Sequence, residues 1–337
     1  MWRAAAKRAR TGTIGPTGMK ILVTGAAGFI GSRVMYDLAA RGDEAVGIDN
    51  FNDYYDVRLK EARVAEFGLE VRRIDISDKA ALDSLFADEK FDKVVNMAAQ
   101  AGVRHSIVDP AAYLQNNIAG FLNLLEACRN HGVKHLVFAS SSSVYGLNGK
   151  VPFSEGDRTD SPASLYAATK KADELLAYSY CSLYGISMTG LRYFTVYGPW
   201  GRPDMSPMLF AHAICNGEPI RVFNGGDMTR DFTYIDDIAE GTLACIDREP
   251  APDENGLRYR IYNIGCGHPV RLTDFISELE RAMGAQARKE MFPMQPGDIC
   301  RTAADTSLLE RETGYKPRVR LGEGLAKFAE WYKNYHN

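Results

Sequence analysis

The chain is predicted to be an α/β protein: a doubly wound parallel sheet followed by a smaller, mixed α/β lobe towards the C-terminus. Three observations predict this. Apolar runs of strand length alternate with amphipathic runs of helix length as far as Thr195. The strand runs are apolar on both faces, as strands are when helices cover both sides of a sheet. A glycine-rich turn follows the first strand and opens the first helix.

Taken in order, strands are predicted at 20–24, 45–49, 69–75, 93–97, 135–140 and 187–192. Helices are predicted at 29–40, 77–88, 110–131 and 164–184. Strand-helix-strand order implies crossover connections and parallel pairing. Beyond Thr195 the alternation stops. Gly198, Pro199, Gly201, Pro203 and Pro207 crowd one stretch and predict a loop, and 250–256 predicts another. A last amphipathic helix is expected at 321–335. The organisation expected is a dinucleotide domain at 19–195 and a second domain at 196–337, with segments such as 235–265 returning to the first.

Residues 1–18 carry Arg3, Lys7, Arg8 and Arg10, then turn-forming residues. No apolar segment of the kind a signal peptide needs follows them. They are expected to form a disordered basic leader, with Met19 a candidate alternative start.

At 337 residues the chain exceeds what one hydrophobic core normally serves. Its 45% hydrophobic and 25% charged content is that of an ordinary soluble protein. A net charge of −3 argues against a general nucleic-acid binder. No apolar run approaches the roughly 20 residues that span a bilayer, so no membrane association is expected. The six cysteines have no C-x-x-C spacing. Neither a metal site nor a disulfide framework is expected, and reduced thiols imply the cytoplasm.

The turn Thr24-Gly25-Ala26-Ala27-Gly28-Phe29-Ile30-Gly31 is a dinucleotide fingerprint in its proper context. Gly25 permits the tight turn, Gly28 lets backbone approach a pyrophosphate, and Gly31 lets helix and strand pack closely. The helix N-terminus beginning at Phe29 and Ile30 offers N–H groups to phosphate oxygens. The next strand ends at Asp49, followed by Asn50. An acid there accepts hydrogen bonds from ribose hydroxyls and repels a 2′-phosphate. No Arg or Lys follows within several residues, so the cofactor read from the sequence is NAD. Asp75 and Ile76 end the third strand, where they can flank the adenine. Ala98 and Ala99 follow the fourth, where small side chains let the cofactor lie against the sheet.

Tyr166 and Lys170 stand four apart, on one face of a helix. A serine run, Ser140 to Ser143, ends the fifth strand, on the edge where ligands of such sheets bind. A phenol is a poor base at neutral pH. An adjacent ammonium and a positively charged nicotinamide stabilise its phenolate. A serine of this run can hydrogen-bond the reacting hydroxyl and relay its proton.

With these motifs together, the chain resembles the extended short-chain dehydrogenases/reductases, whose marks are TGxxGxxG and the Ser/Tyr/Lys set on a Rossmann domain joined to a sugar-nucleotide lobe. Within them it most resembles the UDP-glucuronate 4-epimerases. The resemblance runs from Met19 to the C-terminus. It rests on DNFNDYYD at 49–56, AAQAGVR at 98–104, TVYGPWGRPDM at 195–205 and GGDMTRDFTYIDD at 225–237.

That resemblance implies C4 epimerisation of a UDP-sugar on tightly bound NAD, in a homodimer formed by the helices at 110–131 and 164–184. Ser141, Tyr166 and Lys170 would be catalytic, and Asn117 would neighbour the cofactor. Arg230 would meet the diphosphate, Val222 and Phe223 the uracil, and Gln295 and Asp298 the uridine ribose. The position of Thr195 is typically asparagine in UDP-glucose 4-epimerases, so this chain departs from the neutral-sugar pattern. A uronic acid needs a cation or several donors for its carboxylate. Arg202, Thr195, Ser142 and Ser143 are the candidates. Rival readings are a UDP-glucose or UDP-N-acetylglucosamine 4-epimerase and a UDP-glucuronate decarboxylase. A 4,6-dehydratase would need an acid where Ser142 and Ser143 stand.

Overall fold

The computed structural model describes residues 18–294 and 299–336. Residues 1–17 of the expected leader, and Gln295 and Asp298 of the expected uridine contacts, lie outside the described residues.

The first half alternates strands with helices, one of them beyond those predicted. β1 (Lys20–Thr24), α1 (Phe29–Arg41), β2 (Glu44–Asp49), α2 (Val57–Phe67), β3 (Val71–Arg73), α3 (Lys79–Glu89) and β4 (Lys93–Asn96) come first. The short helices α4 (His105–Val108) and α5 (Pro110–Tyr113), a π-helical turn (Leu114–Ala119) and α6 (Gly120–Asn130) follow. Then come β5 (His135–Ser141), α7 (Leu165–Tyr184) and β6 (Ser187–Tyr193). The second half adds β7 (Thr195–Tyr197), α8 (Ser206–Asn216), β8 (Pro219–Phe223), β9 (Thr229–Tyr234), α9 (Ile235–Asp247) and β10 (Tyr259–Ile264). It ends with β11 (Pro269–Arg271), α10 (Leu272–Met283), β12 (Arg288–Phe292), α11 (Ser307–Thr313) and α12 (Leu321–His336).

Seven strands form one sheet in the order β10-β6-β5-β4-β1-β2-β3. All of its pairings are parallel. The order reverses at β1, with β2 on one side and β4 on the other, and this opens a crevice at the carboxyl ends of the strands. β10 returns from the second half to lie beside β6. The rest of that half builds a three-stranded sheet, β11-β9-β7, and a two-stranded one, β12-β8.

Alternation along β1 explains how both faces are filled. Ile21 and Val23 join a core with Val34 and Leu38 of α1 that continues through Met208, Phe275 and Phe328 of the second half. Leu22 faces the other way, into a core with Phe86, Leu124 and Met188.

Three elements differ from expectation. β3 is shorter than 69–75, because the Asp75 carboxylate accepts the Ser77 N–H at 2.7 Å and turns the chain. The helix expected at 110–131 is interrupted by the π turn at Leu114–Ala119. The widened turn carries Asn117, whose Oδ1 accepts the Gln100 N–H at 2.8 Å. Helix α2 was not expected at all. Asp56 caps it by accepting the Arg58 N–H. Its buried face is Leu59, Lys60 and Arg63, and two cations among three inward residues hide the apolar period.

Candidate active site

The glycine turn is a bare backbone cradle. Gly25 has φ of +65°, and a Cβ there would lie 2.7 Å from Ala98 N and from the Met97 carbonyl carbon. A Cβ on Gly31 would stand 2.1 Å from the Gly25 carbonyl oxygen. Gly28, at the N-cap of α1, contributes no side-chain acceptor. The first-turn N–H groups of the helix therefore face the crevice with their partial positive charge. This turn fits a dinucleotide pyrophosphate, which needs close backbone approach and such donors.

The crevice is a cleft of about 920 Å³. Its walls include Gly25, Gly28, Phe29, Ile30, Gly31, Asp49, Asn50, Asp75, Ile76, Ala98 and Ala99 from the predicted cofactor residues. Ser141, Ser142, Ser143, Tyr166, Lys170, Thr195, Arg202, Phe223 and Arg230 line the same cleft. Two predicted site residues stand behind its wall. Asn117 is buried, and its Nδ2 donates to the Gln100 carbonyl at 3.1 Å and to Thr169 Oγ1 at 3.0 Å. It ties the loop after β4 to the helix carrying Tyr166 and Lys170. Val222 points into the second-half core, while the neighbouring Phe223 faces the cleft.

Asp49 ends β2 and accepts two backbone N–H groups, from Ala27 at 3.2 Å and Phe51 at 2.7 Å. The absence of a nearby cation in the sequence does not hold in space. Lys60, from α2, places Nζ 3.8 Å from Asp49 Oδ1 and donates to the Asn52 carbonyl at 2.9 Å. Burial lowers the Lys60 ammonium below its usual range, against the pull of Asp49. Asp75 accepts from Asn50 Nδ2 at 2.8 Å. Burial pushes its carboxyl up, but the Asn50 and Ser77 hydrogen bonds prevail and hold it below the usual range.

The catalytic candidates come from β5 and α7. Ser141 Oγ accepts from the Ser143 N–H at 3.2 Å and the Ser143 hydroxyl at 2.9 Å. Ser164 caps α7 by accepting the Ala167 N–H at 3.1 Å, which starts the helix so that Tyr166 and Lys170 share its cleft face. Lys170 is buried and donates to the Ala139 carbonyl at 2.9 Å and to Asp173 Oδ2 at 3.1 Å. Burial raises the Asp173 carboxyl to about 6, opposed by Lys170. One residue on, Glu174 grips Arg192 of β6 through two bonds, of 2.7 and 2.8 Å, and accepts the Ser140 hydroxyl at 2.7 Å. Burial would raise the Glu174 carboxyl, but Arg192 holds it low. This buried network clamps α7 to β5 and β6 and so sets Tyr166 and Lys170 against the end of β5.

The loop between β7 and α8 brings Arg202. Its Nε donates to Asp204 Oδ1 at 3.0 Å, and Tyr54 from the loop after β2 donates to Asp204 Oδ2 at 3.1 Å. Burial and Asp204 push the Tyr54 phenol up to about 12. The Arg202 charge is close enough to Tyr166 to interact with its phenol. Arg230 Nη1 donates to the carbonyls of Thr229 at 3.1 Å and Cys300 at 3.0 Å. The Arg104 guanidinium stands 5.0 Å from the centre of the Phe223 ring.

Sequence reasoning missed Tyr54, Lys60, Arg104 and Asp204, all of which line the cleft. Tyr54, Arg104 and Asp204 lie inside stretches already singled out, so the signal was present. Lys60 had none, since α2 itself was not recognised. Among the described residues no group of His, Cys, Asp and Glu could hold a metal ion, and no helix is long and apolar enough to cross a membrane.

The fold and the cradle define a dinucleotide-dependent enzyme of the short-chain dehydrogenase type. The chain belongs to the NAD dependent epimerase/dehydratase family, whose model matches residues 21–265. It is 49% identical over 334 residues to UDP-glucuronate 4-epimerase 3 of Arabidopsis thaliana, covering 95% of this chain and 78% of that one. It is also similar to the crystal structure of UDP-glucuronic acid 4-epimerase from Bacillus cereus in complex with UDP-glucuronic acid and NAD. That match has a TM-score of 0.87 at 36% identity and covers 94% of this chain and all of the other. UDP-glucose 4-epimerase of Thermus thermophilus, in complex with NAD, matches with a TM-score of 0.81 at 32% identity over 94% of this chain and 99% of its own.

Proposed function

We propose that this chain interconverts UDP-glucuronate and UDP-galacturonate by inverting C4 of the sugar. The observation that carries the reading is the convergence of Ser141, Tyr166 and Lys170 on the dinucleotide cleft, with the Arg202 cation within electrostatic reach of Tyr166. The relatives that share its fold and most of its length, named above for this activity, support it.

Tyr166 takes the proton of the sugar 4-hydroxyl, with Ser141 bonded to the same oxygen. NAD, held at the Gly25, Gly28 and Gly31 cradle, would supply hydride acceptance from C4 and hydride return to the opposite face of the sugar. Between these steps the 4-keto sugar turns about its link to UDP, while Tyr166 and Ser141 hold the proton for its return. Lys170, anchored by Ala139 and Asp173, keeps a third N–H for the nicotinamide ribose. Asp49 takes the adenine ribose, Asp75 and Ile76 flank the adenine, and Ala98 and Ala99 let the cofactor lie close. Arg230 meets the diphosphate and Phe223 the uracil.

The 4-keto intermediate of a uronic acid is a β-keto acid, and loss of CO₂ needs its carboxylate aligned with the keto π-system. Arg202, Thr195, Ser142 and Ser143 hold the carboxylate out of that alignment.

We assign residues 19–195 to the cofactor domain and 196–337 to the sugar-nucleotide domain, with the segment of α9 and β10 packed on the former. We place the enzyme in the cytoplasm as a homodimer. Leu114, Leu122, Leu175, Tyr178 and Leu183 are exposed along the helices of 110–131 and on α7, and a second copy would cover them.

The test is incubation of the pure protein with UDP-glucuronate, followed by NMR. UDP-galacturonate appearing without added NAD is the expected result. A UDP-pentose with CO₂ would assign the decarboxylase instead, and turnover of UDP-glucose alone would remove the carboxylate from the reading.

A further inference from the structure

Helix α2 carries a guanidinium that the reaction does not use. Arg63 is fully buried, at 0% exposure. It donates to the Trp200 carbonyl at 2.9 Å through Nε and to the Gly201 carbonyl at 3.2 Å through Nη2. Its Nη1 donates to the Ala27 carbonyl at 3.2 Å and to the Tyr55 hydroxyl at 2.7 Å. All four acceptors are uncharged. Among the described residues no carboxylate stands within ion-pair distance of it; the nearby Asp49 pairs with Lys60.

A buried cation without a counter-charge is costly, and hydrogen bonds from neutral carbonyls compensate it only in part. The position of Arg63 supplies the missing partner. Ala27 lies between Gly25 and Gly28, in the turn that cradles the pyrophosphate. Trp200 and Gly201 immediately precede Arg202. One side chain thus ties the cofactor turn to the sugar loop, and the Tyr54–Asp204 bond ties the loop after β2 to that same sugar loop.

We propose that Arg63 is a positioning residue with two effects: its charge retains the dinucleotide through the Ala27 peptide, and its bonds to Trp200 and Gly201 hold the loop that presents Arg202. The second effect rests on the reading of Arg202 as the partner of the sugar carboxylate; the first does not. A cofactor regenerated in every cycle has no need to leave, so slow release is the property such a tie serves.

The experiment compares holoenzyme carrying Arg63→Gln or Arg63→Lys with the unaltered protein. NAD release is followed by trapping free NAD with an alcohol dehydrogenase and ethanol, and KM and kcat are measured separately. Arg63→Gln is expected to release NAD at least about tenfold faster. Arg63→Lys keeps the charge and should stay within about threefold on release, yet raise KM for UDP-glucuronate, because an ammonium cannot span the carbonyls that the guanidinium fork bridges. Unchanged release in folded Arg63→Gln overturns the charge effect. Should that variant not fold, Arg63→Lys decides: release accelerated about tenfold overturns the proposal, and slow release with raised KM upholds it. The release measurement stands whether or not UDP-glucuronate is the substrate, so failure of the substrate reading is seen apart from failure of this one.

Discussion

Arg202 Nε donates to Asp204 Oδ1 at 3.0 Å, so the cation assigned to the sugar carboxylate meets its substrate already paired. The pairing orients the guanidinium. Arg202 Nη2 and the Tyr54 hydroxyl both donate to the other oxygen of Asp204, so the Nε–Nη2 edge is taken and Nη1 is left for a second carboxylate.

Arg202→Met is expected to lower kcat/KM for UDP-glucuronate by about 100-fold, the size of a charge-assisted hydrogen bond of about 2–3 kcal/mol. Any turnover of UDP-glucose should change less than about threefold. NMR assays with both sugars check this. An equal loss on both would move Arg202 to the diphosphate.

Removing the Tyr166 hydroxyl separates chemistry from binding. Tyr166→Phe should lose about 10²–10⁴ in kcat, the usual contribution of a positioned acid–base group. It should still carry NAD, because the cradle is made by Gly25, Gly28 and Gly31. Heat release and quantification of bound NAD, beside the turnover assay, test both halves.

Gly31→Ala should do the reverse and strike the cofactor. Its Cβ would meet a backbone oxygen at 2.1 Å, so α1 must shift away from the turn. Protein purified without bound NAD and with a lower melting temperature is the expected outcome. Full NAD occupancy would show that the turn relaxes.

His135, at the start of β5, is buried and bonded through Nε2 to Thr189 Oγ1 at 2.9 Å. Burial, with the Lys93 charge, lowers its pKa from 6.5 to about 3. The unfolded chain therefore binds a proton between these values that the native chain refuses. Stability from this group is complete above pH 6.5 and is lost as pH falls towards 3. The loss between pH 6.5 and pH 5 is about 2 kcal/mol. Urea unfolding at pH 7 and pH 5, with saturating NAD, should show a correspondingly smaller pH dependence in His135→Gln.

The exposed stripe on α7 predicts the assembly. Leu175 is 60% exposed and Tyr178 44% exposed, one helical turn apart. Light scattering should find a dimer, and Leu175→Glu should shift it to a monomer. A monomeric unaltered protein would refute the shared helical bundle.

Much of the fold is legible in local spacing. Strands of β1, β5 and β6 end within a residue of where their apolar runs predict. The glycine turn and the Tyr166–Lys170 pair are likewise local patterns, because a turn and a helix face are made by near neighbours in the chain. Helix α2 was not legible, since its inward face buries Lys60 and Arg63 and breaks the apolar period. Asn117 matched a cofactor-neighbouring position, yet its amide is used by Gln100 and Thr169, which the sequence does not pair with it.

By itself, then, the sequence determined the doubly wound class, the glycine cradle and the grouping of Ser141, Tyr166 and Lys170 at one cleft, all of which rest on periodicity and short spacing. Tertiary structure alone decided which charges meet. Lys60 reaches Asp49 by way of a helix the pattern hides, Arg63 binds a carbonyl 137 residues away, and Tyr54 reaches Asp204 150 residues on. Such pairings depend on how separate elements pack, and nothing in the local order of residues encodes the direction in which a long polar side chain finds its partner.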